Sequence, residues 1–143
     1  MITSKELEFS VEQAITVTAP SENIIDLGKT GSLMKSDPFL RDVGRGTKIP
    51  LRIQVVEDFA GAASMHIEVQ TANDEAFTSP VTHAQTISIP VADLKVGRIA
   101  EWDTVPIAVQ KQRMGRYMRL RYVVPGTASA GKITAMITGG NNE

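Results

Sequence analysis

The chain of 143 residues contains no cysteine. That excludes a disulfide framework, a thiol nucleophile and a thiolate metal site. Aromatic residues make up only 5% of it, a thin supply for stacking against sugars or bases. Charge of neither sign dominates: 15 Lys and Arg stand against 16 Asp and Glu, a formal net charge of −1. The global basic excess of a nucleic-acid binder is therefore missing. The apolar runs are only a few residues long, too short to span a membrane. The first residues, MITSKELEFSVEQ, are polar and mixed in charge, without the apolar centre of a signal peptide. Catalytic signatures are lacking too. There is no Gly-x-Ser-x-Gly elbow, no P-loop, no dinucleotide fingerprint and no Asp-x-Asp-x-Asp-Gly calcium loop. Helical periodicity of useful length is absent, apart from a short turn in VADLK (91–95).

What is present is alternation, the mark of half-buried strands. ITVTA (15–19) places Ile15 and Val17 on one side, and NIIDLG (23–28) places Ile25 and Leu27. PLRIQVV (50–56) sorts Leu51, Ile53 and Val55 against Arg52 and Gln54. SMHIEVQT (64–71) sorts Met65, Ile67 and Val69 against His66, Glu68 and Gln70. TISIPV (86–91), TVPIAV (104–109) and KITAMIT (132–138) continue the rhythm with Ile87 and Ile89, with Val105, Ile107 and Val109, and with Ile133, Ala135 and Ile137. MGRYMRLRYVV (114–124) puts Met118, Leu120, Tyr122 and Val124 on one face and Tyr117, Arg119, Arg121 and Val123 on the other. About eight short strands with turn residues between them predict an all-β fold, a two-layer antiparallel β-sandwich of jelly-roll-like type. At this length one domain buries enough surface to fold without a metal or disulfide.

Three segments break the rhythm. Residues 1–13 read as an N-terminal arm, leaving the sandwich to 14–138 and a flexible tail to 139–143. Residues 29–48 form a long connection inside it, and connections of such length are often functional. That connection carries Leu33, Met34, Phe39 and Leu40, which either fold back on the core or dock on another chain.

Candidate chemistry is sparse. His66 and His83 come from different elements and make no metal site by themselves, and Asn73, Asp74 and Glu75 read as a solvated turn. The basic stripe Arg113, Arg116, Arg119 and Arg121 with Tyr117 is the clearest feature. Arg and Tyr are enriched at interface hot spots, while charge on a strand also keeps it soluble and unpaired. The expected interface residues are Leu33, Met34, Phe39, Leu40, Tyr117, Arg119 and Arg121. No catalytic, cofactor-binding or metal-binding residue is expected.

An ordered series of segments resembles a known family. MITSKELEFSVEQA, NIIDLG, RDVGRGTKIPLRIQVVEDF, VQTANDEAFTSPVTHAQT, PVADLKVG, GRYMRLRYVV and GTASAGKITAMIT look like the capsid decoration, or cement, proteins of short-tailed bacteriophages, in the same order through nearly the whole chain. QKQRMGRY (110–117) is more basic than that pattern. The resemblance implies a non-enzymatic β-sandwich on the exterior of the virion capsid, made in the host bacterial cytoplasm. It further implies binding to the major capsid protein, bridging of neighbouring subunits, and assembly as a homo-oligomer, dimer or trimer, without a cofactor, nucleic acid or membrane. The rival reading is a carbohydrate-binding β-sandwich, with Trp102, Tyr117 or Tyr122 stacking on sugar.

Overall fold

A computed structural model describes residues 3–27, 49–98 and 115–138. Within them the alternation becomes two antiparallel sheets that pack together as an all-β sandwich. The strands are β1 (Thr3–Ala14), β2 (Ala19–Pro20), β3 (Ile25–Asp26), β4 (Leu51–Ala60), β5 (Ser64–Ala72), β6 (Val81–Gln85), β7 (Ile89–Pro90), β8 (Tyr117–Val123) and β9 (Ala130–Thr138), with one 3₁₀ turn at Val91–Asp93. The smaller sheet has the order β1-β9-β4. In the larger, β8 and β5 lie at the centre, β2 and β3 pair with the outer side of β8, and β6 and β7 pair with the outer side of β5.

The period of two decides which side chains meet. In the small sheet Ile53 lies opposite Ala135 and Val55 opposite Ile133. In the large sheet Ile67 lies opposite Tyr122 and Val69 opposite Leu120. All eight are buried in one cluster with Phe9, Ile15, Met65 and Met118. Gly131 belongs to this packing: its φ is +136°, and a Cβ there would run into the Phe59 ring, so only glycine fits.

One polar chain ties the two sheets together inside the core. Tyr122 of β8 is fully buried, and its hydroxyl donates to Ser10 Oγ of β1 at 2.8 Å. Ser10 donates onward to Gln13 Oε1 at 2.6 Å. The Gln13 amide also accepts from the Glu22 N–H at 3.0 Å and donates to the Pro20 carbonyl at 2.9 Å. Burial raises the Tyr122 pKa, which keeps the phenol protonated as the donor this chain needs.

Several expectations are corrected. The segment read as an arm, residues 1–13, is from Thr3 onward strand β1, paired with β9. Register shifts on both sides of Ser10 interrupt its alternation and bury Phe9 and Ser10 side by side, while Glu12 takes a positive φ of 49°. Bulges of this kind erase the period-two signal. As an edge of its sheet, β1 carries Lys5, Glu6 and Glu8, charges suited to that position. ITVTA is not a strand over its length: residues 16–18 turn, Val17 is 49% exposed, and only Ala19–Pro20 pairs with β8. In TISIPV only Ile89–Pro90 is strand, and Ile87 is 67% exposed. There the chain steps between β6 and β7, where Thr86 bonds β5 through both its N–H and its hydroxyl oxygen. Strand β6, VTHAQ, lacks the apolar alternation that would have marked it. The loop 29–48, TVPIAV and the tail 139–143 lie outside the described residues.

Two substitutions test this core by urea unfolding. Leu120→Ala is expected to lower stability by about 2–5 kcal/mol, since Leu120 is fully buried. Tyr122→Phe is expected to cost about 1 kcal/mol, because Ser10 loses a donor but keeps its bond to Gln13.

Candidate protein-interaction face

The outward side chains of β8 and β5 form the other surface of the large sheet. Tyr117, Arg119 and Arg121 point away from the core, while Met118, Leu120 and Tyr122 fill it. Register places Arg119 opposite Gln70 and Arg121 opposite Glu68. Cross-strand neighbours this close interact directly.

The result is a hydrogen-bonded ladder across three strands. Arg119 donates from Nε and Nη2 to Gln70 Oε1 at 3.0 and 2.9 Å. Gln70, only 4% exposed, donates from Nε2 to Glu68 Oε2 at 3.1 Å and to Thr82 Oγ1 of β6 at 3.3 Å. Glu68 also accepts from Arg121 Nη1 at 3.4 Å and faces His66 Nε2 at 3.5 Å. A buried amide without partners would be costly; here both ends of Gln70 are satisfied.

A loop covers part of this face. In residues 73–80, Asp74 Oδ2 accepts from the Thr78 hydroxyl at 2.8 Å and the Thr78 N–H at 3.1 Å, and the Asp74 carbonyl accepts from the Phe77 N–H at 3.2 Å. Those two Thr78 bonds, the hydroxyl's foremost, hold the Asp74 carboxyl below its ordinary pKa. The turn sets Phe77 at a φ of +51°, a region bulky residues avoid. Its ring comes to lie 4.1 Å from the Arg119 guanidinium carbon. Burial, and then the Arg121 charge, lower the Arg119 pKa; the aromatic face and the Gln70 carbonyl offset that desolvation. Arg119 is thus a cation held without a carboxylate.

Arg116 and His83 have partners too. Arg116 grips Asp26 with both prongs at 2.9 and 2.8 Å, which raises its pKa, and it lies 5.1 Å from the Tyr117 ring centre. His83 approaches Thr71 Oγ1 through Nε2 at 2.6 Å, and the same oxygen accepts from the Gly115 N–H at 3.0 Å. Burial lowers the His83 pKa, which favours the neutral ring, and that ring and the Thr71 hydroxyl share a hydrogen bond whose direction the tautomer sets.

The structure therefore brings together Tyr117, Arg119 and Arg121, as the alternation required. Leu33, Met34, Phe39 and Leu40 lie outside the described residues, as do Trp102 and Arg113. Tyr122, one of the ring platforms of the sugar-binding reading, is fully buried. Gln70 and Phe77 are the residues that sequence reasoning missed. Gln70 shows only as one more outward residue of SMHIEVQT, and Phe77 only as an aromatic inside the turn NDEAF. Among the described residues no group of three or more His, Asp or Glu converges as a metal would need, and no helix is long and apolar enough to cross a membrane.

Two measurements follow. Arg119→Ala removes both donors from the buried Gln70 carbonyl and uncovers Phe77, so urea unfolding is expected to show a loss of about 1–3 kcal/mol. For His83, the unfolded ring binds its proton near pH 6.5, whereas the folded ring resists it. Stability is accordingly full above that pH and declines as pH falls toward the lower folded pKa. His83→Gln is expected to flatten that acid limb in melting curves recorded between about pH 7.5 and about pH 5.

Comparison with known proteins adds a family. No curated protein matches the chain. A family model described as Bbp16 matches residues 9–137, from inside β1 to near the end of β9. The match takes in both sheets and the whole outward ladder, and this chain belongs to the Bbp16 family.

Proposed function

We propose that this chain is a capsid decoration protein that binds the outer surface of a bacteriophage head and bridges neighbouring major capsid protein subunits. The observation that carries the reading is the ordered series of segments resembling the cement proteins of short-tailed phages. Membership of the Bbp16 family agrees with a phage-associated protein. The compact sandwich fits the role: a rigid β domain can present a fixed surface without needing a catalytic centre.

The mechanism is mass action. A ligand that favours the expanded shell over separated subunits stabilises the shell by that differential affinity. A homo-oligomer, dimer or trimer, holds several subunits at once, so each contact can be modest. A specific footprint buries roughly 800 Å² per partner. In this reading the outward face with Tyr117, Arg119 and Arg121, together with Leu33, Met34, Phe39 and Leu40, supplies contacts to the shell or between copies. The protein acts without enzymatic chemistry, on the virion exterior.

Purified expanded heads stripped of the protein provide the test. Saturable rebinding and a raised melting temperature of the shell are the expected results; no binding to expanded heads rejects the proposal. Deletion of residues 33–43 is expected to leave the β circular dichroism spectrum intact and to lower head occupancy. Loss of the fold itself would assign that segment to the core.

A further inference from the structure

The guanidinium groups on the outward face differ in what they have left to offer. Arg116 spends Nε and Nη2 on Asp26. Arg119 spends the same two donors on Gln70 and lies beneath Phe77. Arg121 donates to Glu68 through Nη1 alone, at 3.4 Å, and 41% of its side chain is exposed. A guanidinium carries five N–H donors in a planar fork. Arg121 therefore keeps most of its fork open, and Glu68 restricts the rotamers that a free arginine would lose on binding.

Glu68 cannot absorb the rest of that fork. Its Oε2 is already shared between Arg121 and Gln70, its Oε1 faces His66, and its side chain is only 13% exposed. Across the ladder Arg119 and Arg121 oppose the single carboxylate of Glu68, while Arg116 and Asp26 neutralise each other. Among the described residues of the ladder, Arg121 is thus the guanidinium with most of its donors unspent.

We propose that Arg121 is the recognition residue of this face, reading a carboxylate presented by a protein partner, and that Arg119 is a positioning residue locked by Phe77 and Gln70. The inference deepens the decoration reading, in which that carboxylate belongs to the shell protein. The open prongs of Arg121 match a carboxylate in a two-bond fork, a geometry that a lysine ammonium cannot reproduce.

The experiment has two arms. On expanded heads, Arg121→Ala is expected to weaken binding roughly 30-fold, the hot-spot range, with Arg121→Lys in between and with melting temperature and oligomer mass unchanged. Binding by Arg121→Ala within about twofold of wild type, or a fall in oligomer mass, overturns the proposal; the fall would assign Arg121 to contacts between copies. The second arm does not involve heads. Hexaglutamate is titrated into the ¹⁵N-labelled protein at low salt, and the arginine Nε–Hε signals are followed. The Arg121 signal is expected to move most, and movement of Arg119 instead, or of none, overturns the assignment. If heads do not bind wild type while hexaglutamate still moves Arg121, the decoration reading falls and carboxylate recognition stands.

Discussion

The one-sided burial of β8 is the constraint on which the rest depends. Its inward residues Met118, Leu120 and Tyr122 are fully buried between the sheets. Their neighbours Tyr117, Arg119 and Arg121 are then forced outward, because successive strand side chains alternate. A slip of one residue would drive two guanidinium groups into the core. The Tyr122–Ser10 hydrogen bond makes that register still more specific, since it joins the centre of one sheet to the edge strand of the other at a single pair of atoms.

The outward side of the large sheet is more ordered than an open surface. Gln70 is as buried as many core residues, although it points away from the core. Its amide spans the interval between Arg119 and Glu68, so positive and negative groups are linked through a neutral one. Phe77 completes the arrangement from a turn that Asp74 holds in a left-handed conformation. One half of the face is thereby closed over Arg119, and the half near Arg121 and His66 remains accessible. Such prior ordering lowers the entropy lost on association.

The proposed bridging role calls for stiffness and a fixed surface. Both are present: a single core shared by two sheets, and a ladder whose members restrain one another. The loop 29–48 and the outward face belong to one reading in which several modest contacts add up through avidity. In that reading the chain's near-neutral charge is also useful, since neither sign dominates and specificity rests on placed groups such as Arg121 rather than on bulk attraction.

The sequence by itself determined the fold class and most of the core. The strict alternation of β4, β5, β8 and β9 reads directly as buried and exposed faces, and Ile53, Ile67, Val69, Leu120 and Ile133 are buried as it dictates. It also fixed that Arg119 and Arg121 face outward together. The sequence did not disclose β1, whose bulges scramble the period, or β6, whose two sides each mix polar and apolar residues. Nor could it distinguish the two arginines, which stand two positions apart in identical local patterns. That difference is tertiary. Arg119 meets a buried glutamine and an aromatic ring brought from distant parts of the chain, whereas Arg121 meets a shared carboxylate and solvent. Periodicity is a local property and survives in the sequence; the partners of an outward side chain depend on cross-strand register and on a folded-back turn, which only the assembled sheets decide.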